Sequence, residues 1–155
     1  MDQYRFVHFA VHGYYAEAQP GRSGIALSAG ADSQEDGLLQ VREIMRLRLH
    51  AEMVTLSACQ TGLGKLLAGE GVMGMSRAFL YAGADSVLIS LWNVNDASTA
   101  ELMKLVYYNI AKGMARDEAL RAAKVRLMRG SQDTWRHPYY WASFVLSGDS
   151  GLGRK

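Results

Sequence analysis

The stretch Asp85–Trp92, which reads DSVLISLW, decides the fold class. It is a run of aliphatic and small residues without the alternation of polar and apolar side chains that marks a strand with one face in water. Two further runs have the same character, YRFVHFAV at Tyr4–Val11 and MVTLSA at Met53–Ala58. Strands that are apolar throughout are typical of parallel sheets covered by helices on both faces. The chain is therefore predicted to be an α/β protein with a mostly parallel sheet.

Helices are predicted between and after these strands, because apolar residues recur there at helical spacing. The four predicted helices span residues 41–49, 72–82 (closed by Gly83), 97–112 and 117–129, and a last strand follows at Ala142–Leu146. Segments rich in Gly, Pro and Ser, at Tyr14–Gly24 and Gln60–Gly71, are predicted loops. These elements predict a three-layer sandwich formed by one domain over residues 1–150, with a tail at 151–155.

Composition narrows the classes of function. The 155 residues are 49% apolar and carry a net charge of only +2, and the densest basic segment, Arg42 to Arg48, spreads over a solvated helix face. We therefore expect no nucleic-acid partner. The apolar runs fall well short of the roughly 20 residues that span a bilayer, so no membrane association is expected. One cysteine forms no internal disulfide, which favours a reducing cytoplasm.

The residues with the clearest chemical potential are His12 and Cys59, which directly follow two predicted strands. Ligands of open parallel sheets bind beyond the carboxyl ends of the strands, where both residues are expected. An imidazole close to a thiol lowers the thiol pKa or accepts its proton as attack begins. The N–H groups of Gly13 and Cys59 are candidates for an oxyanion hole.

Each of these residues also has a simpler explanation. A single cysteine beside a strand is most often a small buried hydrophobe, and a single histidine is usually a hydrogen-bonded structural residue. Judged by residue type alone, the structural explanation is slightly favoured. The surrounding sequence changes that balance.

Four blocks carry a resemblance to a known family, and they read HFAVHG, LSACQTG, GEGVMGMSRAFLYAGADSVLISLWNVND and HPYYWASFVLSG. In this order they resemble the CHAT domain, a bacterial branch of the caspase, separase and gingipain group of cysteine peptidases. The resemblance extends from Val7 to Gly148 and implies a caspase-like fold without a cofactor. It implies that His12 and Cys59 are the catalytic dyad and that Gly13 contributes to the oxyanion hole.

The resemblance carries expectations about the rest of the protein as well. Domains of this family begin with further strands and helices upstream of the histidine strand, so this sequence is expected to lack those N-terminal strands. Such domains are often joined to tetratricopeptide or similar repeats, which are therefore expected as a partner or fusion. The implied function is a cysteine endopeptidase acting on protein or peptide substrates.

The loop after the Trp92 strand corresponds to a wall of the family's substrate pocket. Trp92, Asn95 and Asp96 are therefore candidate substrate-binding residues. A carboxylate at Asp96 is suited to pair with an Arg or Lys side chain, which predicts cleavage after a basic residue. Alternatively, Asp96 caps the helix that begins near Ala97, and the two roles are compatible.

Other chemistries fit the sequence less well. Gly62–Lys65 lacks the remaining residues of a phosphate-binding loop, since Cys59 and Leu66 occupy those positions. His8 and His12 are about 13 Å apart on an extended strand, so we expect no shared metal. The aromatic residues near the last strand are assigned to packing against the sheet edge: Trp135, His137, Tyr139, Tyr140 and Trp141. A caspase-like module without catalytic activity, used for signalling or scaffolding, remains the alternative function, and self-cleavage or acyl transfer by the same dyad is a further one.

Overall fold

The computed structural model describes residues 3–14, 16, 18–28, 36–57, 71–130 and 132–151. Cys59 and nearly all of the predicted loop Gln60–Gly71 lie outside the described residues. The same holds for the predicted tail after residue 151.

Seven strands and four α-helices make up the described part of the chain. The strands are β1 (Phe6–Phe9), β2 (Gly13–Tyr14), β3 (Gly24–Ala26), β4 (Leu38–Gln40), β5 (Met53–Leu56), β6 (Ser86–Ser90) and β7 (Phe144–Gly148). The α-helices are α1 (Val41–Ile44), α2 (Gly71–Tyr81), α3 (Asp96–Ala111) and α4 (Arg116–Met128). Three 3-10 turns complete them, at Pro20–Arg22, Asp133–Arg136 and Pro138–Tyr140. None of the helices in the described ranges is long and apolar enough to cross a membrane.

The main sheet has four strands in the order β1-β5-β6-β7. β5 runs parallel to both β1 and β6, and β7 pairs antiparallel with β6. The register of the first pair sets Phe9 opposite Leu56, so these two strands end at the same edge of the sheet. This arrangement confirms the prediction of an α/β protein with a mostly parallel sheet.

Helices cover both faces of this sheet. Successive residues of a strand point to opposite sides, so one strand packs against the helices of both layers. Along β5 the side chain of Met53 packs in the cluster formed with α3 and α4, whereas Val54 packs in the cluster formed with α1 and α2. Every residue of β5 is buried. The uninterrupted apolar runs at β5 and β6 thus have the cause inferred from the sequence, whereas only Phe9 of β1 is buried. The three-layer arrangement is confirmed.

A second, small antiparallel sheet joins β2, β3 and β4 and lies outside the sequence prediction, which assigned Tyr14–Gly24 to a loop. Its strands are only two or three residues long, too short for a periodic pattern. Gly24 is required for the close approach of β3 and β4. A Cβ atom at this position would lie 2.2 Å from the backbone oxygen of Leu39.

Most predicted helices agree with the structure, and one is shorter than predicted. α3 and α4 begin and end within one residue of the prediction, and α2 is followed by Gly83 with a φ of 106°. The helix predicted for 41–49 ends at Ile44. The chain turns away because the Leu49 N–H donates to the carbonyl of Ala82 beyond α2, which draws the segment out of helical geometry.

Candidate active site

His12 lies at the junction of the two sheets, between β1 and β2. Its carbonyl accepts a hydrogen bond of 2.8 Å from the Ala26 N–H, which ties this residue to β3. Its imidazole is exposed. The next residue, Gly13, is buried and lies opposite Ile25 in the small sheet. The backbone at His12 is thereby held from both sides, while its side chain stays accessible.

Cys59 lies outside the described residues, but the strand that leads to it is well placed relative to His12. Ser57, two positions before Cys59, donates its backbone N–H to the carbonyl of Phe9 at 3.1 Å. β1 and β5 are neighbours and parallel. The segments that lead to His12 and to Cys59 therefore leave the same edge of the sheet side by side.

A cleft of about 720 Å³ opens between this edge and the first turns of α3, and we call it the main cleft. His12 and Asp96 lie on it together with two polar residues of the sheet, His8 and Ser57. The remaining wall is largely apolar and comprises Ala10, Val11, Ala26, Leu27, Ser28, Thr99, Ala100 and Met103.

A second cavity of about 600 Å³ adjoins the same histidine, and we call it the tyrosine pocket. It is lined by His12, by the loop Asn93–Asp96, and by Tyr139 and Tyr140. The rings of Tyr139 and Tyr140 meet edge to face at 5.1 Å. His12 and Asp96 line both cavities, so a ligand bound beside His12 lies within reach of a carboxylate from either side.

The helix cap next to this site is Asn95, one residue before the position considered in the sequence. Its Oδ1 accepts the Ser98 N–H at 3.1 Å and so satisfies a free donor at the start of α3. Asp96 is the first residue of the helix, and its side chain is exposed. The alternative that Asp96 itself caps the helix is therefore wrong, and its carboxylate is available to a ligand.

Trp92 lies behind the tyrosine pocket, where it contacts the backbone of the aromatic segment near the end of the chain. The indole N–H of Trp92 donates to the Tyr139 carbonyl at 3.2 Å, and the Nδ1 atom of His137 accepts the Tyr139 N–H at 3.2 Å. Trp92 is not among the residues that line the two cavities in the described part of the chain. It holds the backbone behind Tyr139.

His8 and Ser57 form a polar pair at the base of the main cleft. The Nε2 atom of His8 lies 2.7 Å from the Oγ atom of Ser57. The ring of His8 also packs against Tyr107, with centroids 5.8 Å apart, and the Tyr107 hydroxyl donates to Thr55 at 2.9 Å. His8 is exposed to solvent as a residue, yet the groups packed around its ring displace enough water to lower the pKa of the imidazole below its ordinary value.

Comparison with known proteins agrees with this architecture. Over residues 1–149 the sequence matches the family described as the CHAT domain. The chain belongs to the CHAT domain family. Two curated relatives are both tetratricopeptide repeat protein 28, from Mus musculus with 33% identity and from Homo sapiens with 34% identity, each over 111 residues. The match covers 72% of this chain and only 4% of each relative.

Two parts of this CHAT domain site were missed by sequence reasoning. Tyr139 and Tyr140 were assigned to packing, and that assignment suits only Trp135 and Trp141, which lie against the core cluster of α3 and α4. His8 was considered only as a metal ligand. The sequence does contain a sign that His8 faces the cleft. Side chains two positions apart on a strand share a face, so His8 lies on the same face as Ala10 in the motif HFAVHG, and both residues line the main cleft.

Proposed function

We propose that this CHAT domain is a cysteine endopeptidase in which Cys59 and His12 act as a dyad. The observation that carries the proposal is the position of His12, which lines two adjoining cavities at the edge where the segment leading to Cys59 also leaves the sheet. A peptide that crosses this edge can set side chains in both cavities with its backbone beside His12. Such placement is what hydrolysis of a peptide bond requires.

The proposed reaction uses these groups in sequence. The Cys59 sulfur attacks the peptide carbonyl carbon as its proton passes to His12, and the N–H groups of Gly13 and Cys59 stabilise the oxyanion. The C–N bond then breaks, and His12 gives the proton to the leaving amine, which leaves a thioester. Water attacks the thioester with His12 as the base, releasing the carboxylic acid and the free thiol. A thiol nucleophile fits a reducing compartment such as the cytoplasm.

Asp96 is the proposed determinant of substrate choice. Its exposed carboxylate borders both cavities and is not used as the helix cap. A carboxylate there favours a substrate with Arg or Lys before the scissile bond, because charge-assisted hydrogen bonds are stronger than neutral ones. Asn95 caps the helix that begins at Asp96 and so fixes the position of this carboxylate. Trp92 donates its indole N–H to the Tyr139 carbonyl and so fixes the position of Tyr139.

Repeats are the proposed partners of the domain. Both curated relatives are named as tetratricopeptide repeat proteins and are far longer than this chain, which supports a domain that works beside such repeats. Repeat arrays offer extended concave surfaces that bind other proteins. In this arrangement the repeats recruit the substrate, and the CHAT domain cleaves it.

The test is labelling by an arginyl chloromethylketone followed by intact mass. We expect one adduct on the wild-type protein, none on Cys59→Ala, and none on His12→Ala within the same time. His50→Ala is the matched control, because His50 is an exposed histidine before the amino end of β5, at the opposite edge of the sheet. If the native protein is labelled no faster than the denatured protein, the alternative of a non-catalytic scaffold holds.

A further inference from the structure

The contact between His8 and Ser57 joins the two strands from which the dyad extends. His8 lies in β1, four positions before His12, and Ser57 follows β5, two positions before Cys59. Their side chains meet at 2.7 Å. Next to this contact the Ser57 N–H donates to the Phe9 carbonyl. Side-chain and backbone hydrogen bonds thus join the two segments just before they leave the sheet.

Two contacts restrict the orientation of His8, although the residue is exposed to solvent. In the strand register His8 lies opposite Thr55, and the Tyr107 hydroxyl donates to Thr55 while the Tyr107 ring packs against the imidazole. Ser57 itself is 7% exposed. A side chain that is held by a ring on one side and a hydrogen bond on the other loses little further freedom, so it can hold Ser57 in turn.

We propose that His8 is a positioning residue, which through its hydrogen bond to Ser57 sets the distance between Cys59 and His12. The proposal rests on the peptidase function argued above. His8 does not touch the reacting atoms in this scheme. It holds the end of β5 beside β1, so that the thiol and the imidazole start each reaction at a productive separation.

The charge state of His8 is compatible with this role. The charged or titratable groups around the cleft are Asp96 on α3, His12 after β1 and Tyr107 on α3. Because loss of water around the ring lowers the pKa of His8, the neutral form of the imidazole is favoured. A neutral ring carries one N–H and one lone pair, and the Ser57 hydroxyl can donate or accept, so either tautomer maintains the contact.

The expected effect is on the rate of chemistry and not on substrate binding. A misplacement of about 1 Å at the reacting atoms can lower a rate by roughly 100-fold. We therefore expect His8→Leu and Ser57→Ala each to lower kcat, and the rate of Cys59 labelling, by roughly 10- to 100-fold. KM should change by less than about threefold, because interactions made equally in the ground state persist.

The experiment compares four variants of the full chain with a matched control. The variants are His8→Leu, Ser57→Ala, the double variant and His8→Gln, whose terminal amide can reach the same hydroxyl as Nε2. The control is Ser86→Ala, which also removes a buried serine hydrogen bond, that of Oγ to the Glu52 carbonyl at 2.8 Å. Ser86 begins β6, at the opposite edge of the sheet from the cleft. Thermal unfolding, kcat, KM and labelling rate are measured for each protein.

The outcomes separate this proposal from the proposed function. The positioning role of His8 is supported by three results together. The double variant is no slower than either single variant, and His8→Gln recovers at least half of the rate that His8→Leu loses. Ser86→Ala loses stability but keeps the wild-type rate. The positioning role of His8 is overturned, with the peptidase intact, if His12→Ala abolishes labelling while Ser57→Ala and His8→Leu react at the wild-type rate. A wild-type protein without accelerated labelling overturns both.

Discussion

Substitutions at two adjacent residues, Asn95→Ala and Asp96→Asn, should separate helix capping from substrate recognition. Asn95 accepts the Ser98 N–H and begins α3, a helix of 16 residues. Asp96 projects an exposed carboxylate to the main cleft and the tyrosine pocket. The Asp96→Asn change removes the charge but retains the shape of the side chain. We expect the first substitution to affect stability and the second to affect substrate preference.

The magnitudes follow from the contacts. Loss of a side-chain cap costs about 1 kcal/mol, which for a domain of this size lowers Tm by roughly 2–4 °C. The Asp96 charge in the first turn of α3 contributes only about 0.3 kcal/mol through the helix dipole, because the side chain is exposed and solvent screens it. A charge-assisted contact with a substrate cation contributes about 1.5–3 kcal/mol, or roughly 10- to 100-fold in kcat/KM.

The assay uses peptides that differ only in the residue before the cut, which is Arg, citrulline or Leu. Citrulline has the shape of Arg without its charge. The wild-type protein should prefer Arg, and Asp96→Asn should lose that preference while its rate on the Leu peptide stays the same. Asn95→Ala should melt at a lower temperature and retain the wild-type ratio of Arg to Leu cleavage.

Two results would refute this reasoning. Equal cleavage after Arg and Leu by the wild-type protein would show that the carboxylate does not select a cation. A fall in Tm for Asp96→Asn as large as that for Asn95→Ala would show that Asp96 contributes to the start of α3 as much as the cap does. In that case the separation of the two roles fails even if the substrate preference changes.

Two further predictions concern stability. Gly24→Ala should lower the free energy of unfolding by about 1–3 kcal/mol or more, because the new Cβ atom would meet the Leu39 backbone oxygen. In the control Gly21→Ala the new Cβ atom would meet no atom within 4 Å, so the free energy of unfolding should change by no more than about 0.5 kcal/mol. Similar denaturant midpoints for the two variants would contradict this prediction. Because the pKa of His8 is lowered in the folded protein, the unfolded chain binds a proton first as pH falls below about 6.5, so stability is lost on acidification. Between pH 7.5 and pH 5, the free energy of unfolding should fall less for His8→Gln than for the wild-type protein. Equal falls for the two proteins would contradict the lowered pKa of His8.

The extent to which sequence predicted the fold depended on the length of each element. The main sheet was predictable because β5 and β6 lie in apolar runs of six to eight residues, long enough to exclude a half-exposed strand. β2, β3 and β4 were not, since strands of two or three residues carry no period. The helix over 41–49 was predicted too long, because Leu49 is buried by long-range contacts and not by a helix face, while Met45 is exposed.

The candidate site was predictable only where residues follow strands directly. His12 was expected at the carboxyl edge of the sheet because it comes just after β1, and the structure places it there. The cap was misplaced by one residue because Asn and Asp are both good caps and composition does not fix where a helix begins. Tyr139 and Tyr140 come next to the histidine through a turn far along the chain, which no local pattern indicates.

The His8–Ser57 contact also bears on whether this CHAT domain is a catalyst or a scaffold. When both partners of a hydrogen bond are replaced by apolar groups, the change can be nearly neutral or stabilising. A scaffold would therefore lose little if the base of the main cleft were apolar, and only catalysis would need the polar pair. The double variant His8→Leu, Ser57→Ala tests this directly, because its stability should equal or exceed that of Ser57→Ala alone while its rate stays low. Such a separation of stability from rate is the expected signature of residues retained for function.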